Sequence, residues 1–578
     1  MTEATAGERG RAGGVFPPGQ RSRGVPGGLS PRGEMAGGPG GRPPGPAEPI
    51  SVDLLAGPAG VPRARAMLQR AQWAAQAFAR FDKATVDRIT AAAAQAGAAR
   101  AGEYAEWAVR ETGFGVAEHK MLKNLACSTG LAEAYAGHDY VTPRLDPAAK
   151  IVEIPRPAGV LFALTPSTNP VATVFTKVLL ALMTRNAVVV SPHPLARECS
   201  ADAARALATA AVAAGAPDGV IQVVDEPSVP LINALMTDER TSVIVATGGV
   251  AVVRAAYSSG NPAIGVGPGN VPVLVDGTAD LAKAAKRIAD SKSFDNSVLC
   301  TNESVLIVTE AAAGTLGRHL KREGCHLLEP ADRDKIRDLV FPGGRFDTRF
   351  VGQDAAWIAA QAGLRVPGTT RVLLAPFGLV VPEEPLAHEK LCPVLGVVTV
   401  PSEEQGIDAA RAVLRIGGKG HSAAIHSASP ATIMAYGAAL DVLRIAVNAG
   451  SSLGSSGIET GLAPSMTIGT GFFGRSSVGE NLQPKHLVQW TRLAYSNDPA
   501  EVFGDFAGLN PWQAPAGTVP PYPVASNVAE QARPRTPGPA AHPGAVRGPE
   551  LESLRAEIRR IILDELGALT GGDGRAGY

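Results

Sequence analysis

The sequence predicts an α/β protein built on parallel sheets, and three observations carry that reading. From Gly159 onward, short apolar runs alternate with segments of helical period, the pattern of repeated strand–helix–strand units whose parallel sheet is covered on both faces. The alternation resumes after Cys300 and runs to about residue 447, giving a second α/β region. At 578 residues with 45% hydrophobic content, the chain exceeds one simple core, so two or three units plus tails are expected.

Residues 1–49 are dominated by Gly, Pro and Arg and bury too little apolar surface to offset ordering entropy, so a disordered tail is expected. From Val52 to about Leu131 the chain is Ala-rich, with Leu68, Trp73, Ala77 and Phe81 near helical spacing, and reads as packing helices without chemistry. Val141 to Pro155 holds two short extended runs about an Asp-Pro turn, a hairpin of the kind that serves as an arm toward another subunit. Strands are then expected at Val160–Leu164, Ala187–Val190, Val220–Val224, Ser242–Ala246 and Val273–Val275, with helices near 171–184, 197–214, 228–237 and 249–258. After the second α/β region, Ile445 to Tyr495 is a Gly/Ser-rich loop leading to a strand.

Lys+Arg and Asp+Glu both total 54, which gives no basis for a general nucleic-acid binder. The five cysteines, Cys127, Cys199, Cys300, Cys325 and Cys392, are odd in number and lack metal-ligand spacing, so neither a disulfide framework nor a metal site is expected. A reducing compartment follows. No apolar run approaches the ~18 residues of a membrane span, and the first residues lack the order of a secretory signal, so a cytoplasmic protein without membrane contact is expected.

Cys300 is the candidate reactive group. It follows the polar turn Asp295-Asn296-Ser297 and precedes the apolar run Val305–Val308, which places a thiol at a loop-to-strand junction where a strand holds it and a loop gives access. A lone cysteine is ordinarily just a small buried hydrophobe, so the window alone does not decide. Parallel sheets bind ligands at the carboxyl ends of their strands. Two such ends are informative here: Ser191-Pro192-His193-Pro194, and Thr247-Gly248-Gly249 before a helix, where free N–H groups suit a phosphate and a simple tight turn is the alternative. Gly265-Val266-Gly267-Pro268-Gly269-Asn270 leads into a strand and so is not the usual dinucleotide fingerprint. Taken singly, Glu389 and His421 read as capping and structural residues.

Eight windows in order change the weighing: PSTNP (166–170), SPHP (191–194), ATGG (246–249), YSSGNPAIGVGPGNVPVLVD (257–276), SFDNSVLC (293–300), HEKLCPVLGVV (388–398), GKGHS (418–422) and SSVGENLQPKHLVQW (476–490). From about residue 60 to 496 the chain resembles the CoA-acylating aldehyde dehydrogenases, in particular the propionaldehyde and acetaldehyde enzymes of bacterial microcompartments and the related domain of bifunctional aldehyde-alcohol dehydrogenases. The resemblance implies a nucleotide-binding domain over 50–276 with the 141–155 hairpin in oligomerisation, a catalytic domain over 277–447, and a return with an oligomerisation strand over 448–497. It implies Cys300 as the nucleophile that carries a thioester to CoA, with its own N–H and Asn169 as oxyanion donors. His421 is then either an acid/base residue or a group that orders its turn. Thr165, Pro166, Ser191, His193, Thr247, Gly248, Gly249 and Glu389 are implied in binding NAD, with NADP also open, and CoA is expected to use much of the same groove. The Glu that activates water in hydrolytic relatives falls at Val266, so the resemblance implies delivery to CoA and not to water. Short-chain aldehydes of the propionaldehyde or acetaldehyde class are the implied substrates, and a homodimer or homotetramer the implied assembly.

Residues 498–547 are Pro/Ala/Gly-rich and read as a linker before a terminal segment over 548–578. Within that segment Glu550–Leu569 sets Leu551, Leu554, Ile558, Ile561, Ile562 and Leu566 on one stripe, an amphipathic helix. Either it folds back on its own domain or it docks elsewhere. It resembles the encapsulation peptides that bind microcompartment shell proteins, which implies a cytoplasmic enzyme packaged inside a microcompartment. Two rival readings stand beside this one: a hydrolytic aldehyde dehydrogenase giving the free acid, and a catalytically silent shell-binding scaffold.

Overall fold

The structure, a computed structural model, describes residues 60–512 together with 517, 519, 520 and 522. The N-terminal stretch 1–49, residues 523–547 of the expected linker and the expected helix over 550–569 lie outside the described residues.

Five helices lead in: Val61–Phe78, Lys83–Ala99, Ala101–Thr112, Ala117–Ala126 and Thr129–Ala134. The second is started by Asp82, whose carboxylate accepts the Thr85 N–H at 2.7 Å. The buried stripe of the first helix runs through Ala64, Leu68, Ala71, Ala75 and Phe78, one register away from the expected Trp73, Ala77 and Phe81. The helix ends at Phe78, which leaves Phe81 beyond it, and Trp73 turns outward to donate to the Pro520 carbonyl at 3.2 Å.

The expected hairpin is present as β1 (Arg144–Asp146) and β2 (Ile151–Pro157), antiparallel, with Arg144 opposite Glu153. Then follow β3 (Val160–Leu164), β4 (Ala187–Ser191), β5 (Ile221–Val223), β6 (Val243–Thr247) and β7 (Ala263–Val266). These five form one parallel sheet in the order β5-β4-β3-β6-β7, with the order reversing between β3 and β6. A second parallel sheet takes β8 (Val271–Val275), β9 (Glu303–Thr309), β10 (Cys325–Leu327), β11 (Val372–Pro376), β12 (Val394–Val400), β13 (Ala423–His426) and β14 (Ile445–Val447) in the order β10-β11-β12-β9-β8-β13-β14. The last strand, β15 (Val488–Ala494), pairs antiparallel with β2.

Residues of β3, β4, β8 and β9 are buried throughout, because both faces of each sheet are covered, and this is why their sequences read as unbroken apolar runs. In the second sheet Leu274, Val305 and Ile307 face one core and Val273, Leu306 and Val308 the other, as the two-residue strand period requires. The strand at 273–275 pairs with β9, so the chain changes sheets at residues 267–270, ahead of the expected boundary at 276. The short run Ala263–Val266, interrupted by a glycine, is a strand that the sequence pattern did not disclose. Among the described residues no helix is long and apolar enough to cross a membrane.

The return segment is tied to the first sheet by Asn186. Its Oδ1 accepts the Gly159 N–H at 2.7 Å while its Nδ2 donates to the Leu487 carbonyl at 2.9 Å and to Thr184 Oγ1 at 2.7 Å, all without solvent exposure. Asn186→Ala leaves the Gly159 N–H without this partner and the Leu487 carbonyl with only the Ala158 N–H, and is expected to cost about 1–3 kcal/mol. Urea unfolding followed by circular dichroism checks this; a midpoint equal to that of the parent chain rules the contact out as a structural tie.

Candidate active site

The helix Leu281–Ser293 stops at Phe294, and Asp295, Asn296 and Ser297 follow with φ of 49°, 49° and 65°. Three consecutive non-glycine residues in the left-handed region are costly, at ~1–2 kcal/mol each. Side chains hold the turn: Asn296 Nδ2 donates to the Gly352 carbonyl at 3.0 Å and Ser297 Oγ donates to the Lys292 carbonyl. The chain then reaches Cys300, partly exposed, three residues before β9 begins.

Asp295 is the anchor of this loop. Its fully buried carboxylate accepts the Val116 N–H at 2.6 Å, pairs with Lys120 Nζ at 3.0 Å and pairs with Lys123 Nζ. The lysines hold its pKa below the usual carboxylate range against the opposing effect of burial, which is the larger single influence. Burial brings Lys123 down to about 8. Lys123 Nζ also donates to Asn169 Oδ1 at 2.5 Å, so the Asn169 oxygen is engaged, while its Nδ2 donates one hydrogen to Thr168 Oγ1 at 3.3 Å and has a second to give. Gly115, at φ 90°, makes room for the cluster: a Cβ there would stand 2.5 Å from Asp295 Oδ1.

The opposite wall is the loop 267–270. The Gly269 Cα packs on the Cys300 carbonyl so closely that a Cβ would overlap its oxygen and stand 3.3 Å from His421 Nδ1. Gly269 N–H donates to Glu389 Oε1 at 3.0 Å, and Asn270 Nδ2 donates to the Ala387 carbonyl at 3.0 Å, fixing the segment that carries Glu389. Burial pushes the Glu389 carboxyl up to about 8. His421 is fully buried, its Nδ1 is 3.1 Å from Ser422 Oγ and its Nε2 has no hydrogen-bond partner. Burial, with a further contribution from Arg444, brings it down to about 3, so the imidazole is neutral at physiological pH. Burial and then Glu389 push the Cys300 thiol up to about 12, while Arg444 and Lys123 act in the opposite direction.

The expected nucleotide-contacting residues other than Glu389 lie at the carboxyl ends of β3, β4 and β6, which are adjacent strands at the order reversal. Thr165 N–H donates to the Ser191 carbonyl at 3.1 Å, and Thr165 Oγ1 is buried without a partner. Pro166 continues the same turn toward Asn169, which precedes the helix Pro170–Met183. Gly248 and Gly249 open the helix Val250–Tyr257 without a side-chain cap, and nothing stands within 4 Å of where a Gly249 Cβ would be. An orphaned hydroxyl beside an open helix start suits a phosphate-bearing ligand. Two residues are partly spent on local structure: Thr247 Oγ1 meets Thr467 Oγ1 at 3.2 Å, and exposed His193 caps its own turn by accepting the Leu195 N–H at 3.2 Å.

Residues from the second sheet arrive from the other direction. Gly269, Cys300, Glu389 and His421 all precede the strands they feed, β8, β9, β12 and β13, so this sheet presents its amino ends. Lys120, Lys123 and Arg444 are parts of the site that sequence reasoning missed, and Asp295 was visible only as a turn residue. Lysines three apart on an Ala-rich lead-in give no sign of burial, since lysine is ordinarily exposed.

The aldehyde dehydrogenase family matches residues 57–324. An acetylating aldehyde dehydrogenase from Geobacillus thermoglucosidasius superposes with a TM-score of 0.75 at 36% identity, over 77% of this chain and 98% of that one. The chain belongs to the CoA-acylating aldehyde dehydrogenases. Another structural neighbour is a propionaldehyde dehydrogenase from the fucose-utilisation microcompartment of Clostridium phytofermentans, at TM-score 0.70 and 28% identity over 76% of this chain and 98% of that one. The bifunctional aldehyde-alcohol dehydrogenase AdhE of Escherichia coli is 37% identical over 437 residues, 74% of this chain. The chain spans about half the length of that relative, 49%.

Asp295→Asn removes the one carboxylate facing Lys120 and Lys123 and leaves two buried cations together. The expected cost is about 3–5 kcal/mol. Denaturant unfolding of the variant measures it, and a loss under about 0.5 kcal/mol would mean the lysines are solvated and the cluster is not an anchor.

Proposed function

We propose that this chain oxidises a short-chain aldehyde to acyl-CoA with NAD or NADP, through a thioester on Cys300. The observation that carries this reading is the kind of base available to the thioester. Val266, where hydrolytic relatives place their water-activating Glu, is a buried apolar residue at the end of β7. The carboxyl that bears on Cys300, Glu389, already accepts the Gly269 N–H at 3.0 Å.

The Cys300 thiolate adds to the aldehyde carbon, and the carbonyl oxygen becomes an oxyanion facing the Cys300 N–H and Asn169 Nδ2. When bound at Thr165, Pro166, Ser191, His193, Thr247, Gly248, Gly249 and Glu389, the nicotinamide nucleotide supplies a two-electron hydride acceptor. Loss of hydride from the former aldehyde carbon restores the C=O and leaves an acyl thioester on Cys300. CoA's sulfur then attacks that carbon, His421 Nε2 takes the thiol proton, and the bond to Cys300 Sγ breaks to release acyl-CoA. The His421 Nε2 is buried without a hydrogen-bond partner, which leaves it free to accept that proton.

The three-stranded sheet of β1, β2 and β15 supports the reading of a homodimer or homotetramer, since β1 is exposed along its length and its outer edge is free to pair. Packaging in a microcompartment rests on the amphipathic pattern of 550–569, and the similarity to the fucose-microcompartment enzyme supports it.

With propionaldehyde and NAD, steady NADH formation is expected only when CoA is present, and Cys300→Ala is expected to lose at least about 10³-fold in kcat. Sustained turnover to propionate without CoA would favour the hydrolytic reading, and full activity of Cys300→Ala would remove the nucleophile. Deleting 548–578 is expected to leave the specific activity unchanged and to abolish co-purification with shells; co-purification at the parent level would reject the targeting role.

A further inference from the structure

Arg444 stands just ahead of β14, and its backbone carbonyl accepts the Ala423 N–H at 3.0 Å. Its side chain is only 4% exposed. Nη2 is used on three loop carbonyls, those of Gly469, Gly479 at 3.1 Å and Gly420 at 3.4 Å, while Nε and Nη1 are buried with no partner. A guanidinium is charged at any physiological pH, and burying one without an anion costs several kcal/mol, so such a group is retained where an anion arises.

The neighbours identify that anion. Gly420 precedes His421, and His421 Nδ1 and the Cys300 carbonyl both lie against the Cα of Gly269. The ionisable groups that bear on Cys300 from the surrounding elements are Glu389, Arg444 and Lys123. Lys123 already pairs with Asp295 and Asn169, and Glu389 works against a thiolate. Arg444 alone among these has unspent charge and unspent donors.

We propose that Arg444 is the positioning counter-charge of Cys300, the buried cation that favours the thiolate. This rests on Cys300 being the nucleophile. Burial lowers the Arg444 guanidinium only to about 10, with Cys300 acting against the fall, so the cation persists through the working range.

The test is the pH dependence of Cys300 alkylation by iodoacetamide in the full chain, read by mass spectrometry of the Cys300 peptide and therefore independent of turnover. Arg444→Gln is expected to raise the alkylation midpoint by about one pH unit and to lower the rate at pH 7.5 about tenfold. Arg444→Lys, which keeps the charge, is expected to restore most of that rate, which a purely structural link between loops would not do. Unaltered midpoints in both variants overturn the proposal. Should Arg444→Gln fail to fold, the Lys variant decides: a midpoint within about 0.3 unit of the parent supports the proposal, and a rise of a full unit overturns it. Failure of the nucleophile assignment itself shows separately, as retained activity in Cys300→Ala.

Discussion

Asp295 sits in a turn that its own backbone resists and that its side chain holds. Three left-handed residues in succession work against the loop, and two lysines from the helix Ala117–Ala126 would be untenable in the interior without this carboxylate. Each problem is the other's remedy: the lysines hold the loop in place, and the loop neutralises the lysines. Because Lys123 reaches Asn169 in the same arrangement, the helix, the cysteine loop and the turn that ends β3 form one linked unit. The placement of Asn169 relative to the Cys300 loop is thereby set by buried ionic contacts, which tolerate little displacement.

The two sheets contribute opposite ends to the cleft, and their chemistry differs accordingly. At the carboxyl ends of β3, β4 and β6 the chain enters helices, so open backbone N–H groups are plentiful and suit phosphates. At the amino ends of β8, β9, β12 and β13 the chain arrives from loops, and side chains supply the chemistry: a thiol, a carboxyl and an imidazole. Gly269 stands where the two meet. Without a side chain, it lets the loop leaving β7 lie directly on the Cys300 carbonyl while its N–H orders Glu389.

The parallel strands were legible because burial on both faces leaves an unbroken apolar run, and β3 begins and ends at the expected residues Val160 and Leu164. Cys300 was legible as a loop-to-strand residue for the same reason, since β9 behind it is apolar throughout its middle. Sheet membership was not legible: β8 reads like its predecessors, and only hydrogen bonding to β9 shows that it belongs to the other sheet. Buried charge was not legible either. Lys120, Lys123 and Arg444 resemble surface residues in any local window, and the carboxylate that pairs with the lysines lies more than 150 residues away, the arginine's carbonyl partners beyond 20. Local pattern reports what a side chain prefers, whereas these residues are placed by what lies across the fold.

The cluster of two lysines and one aspartate leaves an excess of positive charge, and Arg444 is a further buried cation that bears on Cys300. Glu389 acts against a thiolate at Cys300. In the proposed reaction acyl transfer between two thiols passes through thiolate, oxyanion and thiolate again, and Arg444 and Lys123 oppose the burial that pushes the Cys300 thiol up. Hydrolysis asks for a carboxylate ionised beside the thioester. For the proposed function, the apolar side chain of Val266 leaves the end of β7 without a carboxylate that could activate water.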